Sequence, residues 1–453
     1  MPSATARQIG QRPRRERLWT SREAFFTDSG IYLLGLAGAF SVNLVGALPG
    51  NEILLFPLLP VLLLAKGGRA FKREYVLFYI LTGGWLLGTI VGDIYLGMPP
   101  ANRLKGVARV VFFAFDFMLL AILINNKIRR KIIFALSIVS VMLILSRSFQ
   151  GDFLTEWKFG ISAAVTILSL LGCSYYYARK KYRHCIFIYL VLVVLNLKFA
   201  FRSQMVVDLV TLVLTIPIFD RHGTIAANRS SSTAKILKPI LLLAMAGGAA
   251  FLASQTIKFA AKQGFFSEDV ADKFQSQSQG KLGVLFGGRP ETLVAIQAIR
   301  DNPIMGHGSF AADQRYLNLE ADLLYENGYS DADLPEDTEG HGIPTHSHLT
   351  QAWVESGILG GVLWIYILVL VIRAIQRITV VRPPLSPLYC YFLVNFVWDI
   401  LYSPFGSINR LWGAFFILLS LDLLGSPVKV VPSALHRPKS LTRTRVVVKH
   451  RLA

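Results

Sequence analysis

The sequence predicts an all-α polytopic membrane protein with about twelve transmembrane helices and one large extracytoplasmic loop. Three observations carry that expectation. Of the 453 residues, 53% are hydrophobic and only 17% charged, whereas a soluble domain carries about 25% charged residues. Mean hydropathy is +0.48. The apolar residues come in blocks close to the roughly 20 residues that cross a bilayer of about 30 Å. Basic clusters separate the blocks, so an ordinary soluble protein and a disordered chain are both excluded.

A net charge of +19 would suggest a nucleic-acid partner in a soluble chain. Here Lys and Arg gather beside apolar blocks, as cytoplasmic flanks of membrane spans do, so the expected partners are membrane lipids and not nucleic acid. Of the three cysteines, Cys173 and Cys390 fall inside apolar runs and Cys185 follows RKKYRHC. No disulfide framework and no metal-ligand spacing results.

Taken in order, spans are expected at about 30–49, 51–65, 75–97, 104–124, 132–146, 159–178, 184–201, 203–219, 236–260, 347–372, 385–403 and 408–424. The segment 51–65 is short and holds Pro57 and Pro60, so it also fits half of a kinked pair with 30–49. Residues 1–29 carry six arginines and no cleavage site after a short apolar core, which makes them a retained cytoplasmic tail. Alternate connections up to the basic tail at 425–453 hold 31 of the 47 Lys and Arg, in knots such as KGGRAFKRE and NNKIRRK. Both termini are therefore expected in the cytoplasm.

Between nine spans over 30–260 and three over 346–424 lies a loop, 261–345, with 14 of the 28 Asp and Glu. By alternation it is extracytoplasmic, and periplasmic in a Gram-negative cell. A loop of this length is usually functional. In its first half ETLVAIQAIRDNP predicts a helix with Leu293, Ile296 and Ile299 on one face, stopping at Pro303. The acidic half, including NGYSDADLPEDTEGHG, reads as irregular: a solvated acidic loop, or a lid or acceptor groove.

His341, His346 and His348 cluster where this loop meets the tenth span. Histidine at a water-facing helix start exchanges protons near neutral pH; by composition alone the cluster equally suits loop polar groups or a metal site. From His346 the chain fits H-[NSQ]-x9-G-x2-G through Ser347, Gly357 and Gly360, and upstream GGRPETLVAIQAIRDNPIMGHGSF carries an Arg, a helix and a P-x-x-G-x-G turn at Pro303, Gly306 and Gly308. These segments resemble the superfamily of O-antigen ligases and Wzy-type O-antigen polymerases, lipid-linked glycan transferases of bacterial inner membranes. The match is confined to the C-terminal half. The aromatic residue often found four positions after the Arg is Leu293 here, and KFAFRSQ matches the family's Ser-Arg pair only loosely.

The resemblance implies a GT-C-like, metal-independent glycosyltransferase with no cofactor and an active site on the periplasmic side. Its donor would be a glycan on undecaprenyl diphosphate, and its partner substrate an acceptor glycan or glycolipid. His346 would be the catalytic base, taking the proton of an acceptor hydroxyl as it attacks the anomeric carbon with inversion. Arg289 and Arg202 would bind the departing diphosphate, to which guanidinium offers bidentate, permanently charged donors. The competing roles are a loop salt bridge for Arg289 and an interface anchor for Arg202. Arg103, Lys105 and Arg109 flank the fourth span and would line a substrate path, unless Arg109 pairs with Asp93 or Asp116. Glu355 reads as a packing or orienting residue, His348 as pointing away from His346, and Asp331–Asp333 as no metal site. Polymerase and ligase are not separable from the chain. The alternative function, a transporter of a small solute or lipid-linked glycan, calls for paired polar residues at mid-span in two matching halves, and the sequence has no internal repeat.

Overall fold

The computed structural model describes residues 14–44, 46–148, 153–199, 201–216, 290–326 and 342–425. Within them the chain is helical apart from turns and one short ribbon. In order come α1 (Arg14–Ala37), the ribbon β1 (Ser41–Asn43) and β2 (Ala47–Pro49), α2 (Gly50–Lys66), α3 (Val76–Tyr95), α4 (Pro100–Ile124), α5 (Ile128–Ser146), α6 (Phe153–Ala178), α7 (Tyr182–Lys198) and α8 (Arg202–Thr215). The loop contributes α9 (Pro290–Asp301) and α10 (Gln314–Glu326), and α11 (His348–Val381), α12 (Ser386–Tyr402) and α13 (Ser407–Gly425) follow. Among the described residues six helical segments are long and apolar enough to cross a membrane: Gly50–Arg69, Arg73–Tyr95, Pro100–Ile124, Phe153–Ala178, His348–Val381 and Ser407–Gly425. The chain is thus an all-α protein of membrane-spanning character.

The first span differs from expectation. A single helix runs from Arg14 in the basic tail to Ala37, and the segment expected to continue it, 41–49, turns back as an antiparallel ribbon with Val42 opposite Leu48. The reversal sets α2 beside α1 as a separate element. Pro57 and Pro60 stay inside α2. The acidic half of the loop differs too, since its beginning forms amphipathic α10. The expected helix at 290–301 is present, but it buries Val294, Ala295 and Ala298 and leaves Ile296 exposed. Those residues meet Tyr316 of α10, Ile343 and Val354 of α11 in a small separate core. The expected span at 236–260 and the segment NGYSDADLPEDTEGH lie outside the described residues.

Helix α11 is central, packing on α3, α12 and α13. Its Trp364 is fully buried, stacked on Phe113 of α4 at 5.9 Å and edge-on to Trp85 of α3 at 6.3 Å. Such ring pairs add about 0.5–1.5 kcal/mol each beyond the area they bury. Because lipid is as apolar as leucine, this interdigitation, and not solvent exclusion, holds the helices together.

Charged contacts separate into two ends. At one end Lys131 of α5 meets Asp422 of α13 at 2.8 Å, and Arg129 meets Asp28 of α1 at 2.8 Å. At the other, Glu52 at the start of α2 receives two bonds from Arg410 of α13, at 2.5 and 2.9 Å, and Arg109 of α4 pairs with Glu355 of α11. The first pairs lie beside the connection at 125–131 and the end of α13, and the second at or near the starts of α2, α4, α11 and α13. All three native cysteines are buried, so an added one can be read alone. An impermeant maleimide should label cysteines placed at Ala101 and at Asn126 from opposite faces of a sealed membrane; labelling of both from one face would overturn this division.

Candidate functional site

The site is built where α11 begins. Ser347 caps the helix: its Oγ accepts from Thr350 N at 3.1 Å and donates to the Ile400 carbonyl at 2.8 Å. An N-cap hydroxyl satisfies one of the otherwise unpaired first N–H groups of the helix. His348 Nδ1 donates to the Ser403 carbonyl at 2.6 Å, and Gln351 Oε1 accepts from Phe405 N at 2.9 Å. The last turn of α12 and the residues that follow it thus hold the start of α11 through three side chains. His346, one residue before the cap, is exposed, while His348 is 1% exposed among Trp364, Phe405 and Phe396. The two histidines thus take opposite environments: His346 lies before the helix, so their difference comes from the cap and not from two sides of one helix.

On its other side α11 is opened. Gly357 has φ 64° and ψ −157°, which breaks the helix into two segments. The turn after α9 docks into the break. His307 N donates to the Val354 carbonyl at 2.6 Å, Gly308 N to the Glu355 carbonyl at 3.1 Å, and Ile358 N to the Ile304 carbonyl at 3.2 Å. Three backbone groups at the kink therefore find partners in the turn, as buried backbone requires. A Cβ on Gly357 would lie 1.8 Å from the Ile304 oxygen, and one on Gly360 would lie 2.2 Å from the Ala352 oxygen. The P-x-x-G-x-G turn and the G-x2-G pair, read as separate motifs in the sequence, are two halves of one joint.

Arg109 does not pair with Asp93 or Asp116, as the sequence allowed. Asp93 Oδ1 accepts from Ser309 N at 2.6 Å and anchors the docked turn to α3, while Asp116 Oδ1 accepts from Asn51 at 3.2 Å. The partner of Arg109 is Glu355, with side chains 5% and 12% exposed. Glu355 Oε1 also accepts from Gln351 at 3.2 Å. Glu355 is therefore more than a packing residue, since it neutralises the cation that lies deepest along α4. Arg103 donates to the Met98 carbonyl at 2.6 Å, and Lys105 lies 5.6 Å from the centre of the Phe310 ring.

Two cavities flank the histidine segment. One, of about 240 Å³, is lined by Gly308, Phe310, Thr345, Gln351 and Glu355 among others. The second, of about 260 Å³, is lined by Lys158, Phe201, Gln204, His348, Asn395, Asp399 and Trp412 among others. Thr345 lines the first and His348 the second, so His346 sits in sequence between their walls. Half-buried Arg202 opens α8; Phe201 before it and Gln204 after it line the second cavity. Arg289 and His341 lie outside the described residues.

Neither known protein-family descriptions nor curated proteins match this chain. The site is therefore read from its own chemistry: an exposed imidazole whose sequence neighbours line two cavities, one walled in part by Glu355 of a neutralised pair and one containing a lysine. Sequence reasoning missed Phe310, Thr345 and Gln351. Of these only Phe310 left a trace, as an aromatic directly after the glycine turn.

Farther out, burial raises the Glu320 carboxyl of α10 to about 7, with Glu291 of α9 adding in the same direction. In the folded loop Glu320 holds its proton to higher pH than the ordinary 4.5, so its stabilising contribution is complete below pH 4.5 and is lost as pH rises through 7. Glu320→Gln should then increase hydrogen-exchange protection of α9 and α10 at pH 8 and leave it unchanged at pH 4; equal protection at pH 8 would contradict the assignment. Gly357→Ala combines a backbone conformation that only glycine adopts easily with a carbonyl clash, at a cost of about 2–4 kcal/mol. It should lower the thermal midpoint and the yield of membrane-inserted protein, whereas Gly172→Ala, where a Cβ meets nothing within 4 Å, should do neither.

Proposed function

We propose that the chain is a membrane glycosyltransferase that transfers a glycan from undecaprenyl diphosphate to an acceptor glycan or glycolipid, in surface polysaccharide polymerisation or ligation. In this reading it has twelve spans in a GT-C-like arrangement, lies in the bacterial inner membrane with both termini cytoplasmic, and works at the periplasmic boundary. The observation that carries the reading is the placement of His346. It is exposed at the mouth of α11, at the residue where the sequence pattern expects a base, with a cavity on either side of its segment.

The acceptor hydroxyl oxygen attacks the anomeric carbon as His346 takes its proton. The bond from that carbon to the diphosphate oxygen breaks, and undecaprenyl diphosphate departs with the electron pair. Attack opposite the leaving group inverts the anomeric configuration. Arg202, beside the second cavity, and Arg289 balance the charge that develops on the diphosphate, where fixed donors act most strongly in a water-poor site. His348 holds the turn at Ser403 and takes no part in proton transfer.

His346→Ala, inserted at normal levels, should lower transfer by about 10²–10⁴-fold, the usual share of a general base. Arg202→Lys keeps the charge but loses the fork and should lower transfer less. The readout is surface glycan in a deletion strain complemented with each variant, together with reconstituted transfer with and without chelator. Single repeat units left on an acceptor identify a polymerase, and long chains stranded on the carrier lipid a ligase. Full activity of His346→Ala would overturn the reading, and chelator-sensitive turnover would reassign the histidine as a ligand.

A further inference from the structure

Building on the transferase reading, we infer that the cavity between Phe310 and Glu355 is the subsite for one neutral sugar ring of the acceptor, with Phe310 as its platform. Its volume of about 240 Å³ is enough to admit a pyranose ring.

The lining is of the kind that binds sugars. Phe310 is a large aromatic left 40% exposed, and its backbone φ is 54°. A bulky side chain in the left-handed region costs of order 1–3 kcal/mol, and such strain persists where the surroundings over-determine it. The surroundings here are Gly308, bonded to the opened helix, and Asn102, which bonds the Phe310 carbonyl at 3.5 Å. The Arg109 guanidinium lies 4.4 Å from the ring centre and Lys105 5.6 Å. A ring in cationic company at a cavity wall is poorly suited to lipid tails and well suited to a ligand with apolar C–H faces and polar edges. The edges are met by Glu355, Gln351 and Thr345, three groups that accept or donate to hydroxyls.

Charge decides against phosphate. Glu355 neutralises Arg109 at the cavity, so the nearest deep cation offers an anion little net attraction. The nucleophilic sugar also has to lie beside His346, and Thr345 brings this cavity to its neighbouring residue. Gln351 is held by Phe405 N and Glu355; it is a positioning residue for the ring.

The test uses the full chain in lipid nanodiscs and saturation-transfer NMR with methyl glycosides of glucose, galactose, mannose and N-acetylglucosamine as probes. At least one should bind saturably. Phe310→Ala and Phe310→Leu should each weaken that binding roughly tenfold, as loss of a ring face predicts, and Phe310→Trp should retain it with an unchanged thermal midpoint. Absence of binding by all four probes, or equal binding by Phe310→Ala, would overturn the subsite. With membrane lipid extract as donor source, mass spectrometry should find glycan added to the bound glycoside. A glycoside that binds through Phe310 and inhibits, yet is never extended, would overturn the acceptor assignment in favour of a donor sugar. Phe310-dependent binding in a chain whose deletion leaves surface glycan normal would support a sugar subsite and overturn the transferase reading, so the two failures are distinguishable.

Discussion

The functional end of this molecule depends on a single interruption in its central helix. Within α11 the conformation of Gly357 opens the hydrogen-bond ladder, and in a membrane protein freed carbonyls and amides need partners close by. The glycine turn at 303–308 supplies them at Val354, Glu355 and Ile358. That exchange fixes several features at once: the loop helices dock on the bundle, Glu355 faces Arg109, and Phe310 is carried to the wall of a cavity. Undocking the turn would leave those backbone atoms without bonds in a place where water is scarce.

Charge is arranged under the same constraint. A lone buried ion costs several kcal/mol, and the cost is offset only when a partner and further bonds are present. Arg109 therefore meets Glu355 and the Phe310 ring, and Asp93 takes the amide of Ser309. A similar rule holds Asp208, which accepts from Asn196 at 2.8 Å and Gln204 at 3.2 Å, while Asn196 takes bonds from Trp157 and Ser162. This network ties α6, α7 and α8 together beside Arg202. A fully connected polar network of this kind gives the three helices one arrangement.

Much of the fold was legible because apolar length and basic punctuation are one-dimensional signals. The helices at 76–95, 100–124, 162–178, 386–402 and 407–425 begin and end within a few residues of the apolar blocks. The ribbon at 41–49 was hidden because its residues are as apolar as a span, and hydropathy does not register a reversal. Helix α10 was hidden by its acidity: Tyr316, Leu319 and Leu323 stand at helical spacing and pack on one small core, but the acidic stretch around them reads as solvated loop. At the site, the histidine pattern and glycine spacing were visible, and so was the different placement of His348. The partner of Arg109 was not, because Glu355 lies 246 residues away and pairing at that distance is set by which helices touch, information that a pattern along the chain does not carry.

The pair formed by Glu52 and Arg410 joins residues 358 positions apart. A chain threaded into the bilayer from its N-terminus delivers α2 early and α13 last, so Glu52 waits for its cation through most of synthesis. An early helix and the last helix of the described bundle are thus joined by charge as well as by packing, and no shorter stretch of the chain can complete that pair. Without Arg410 the buried Glu52 would keep its proton instead of its charge, so the pair also fixes the ionisation of a residue in the first turn of α2.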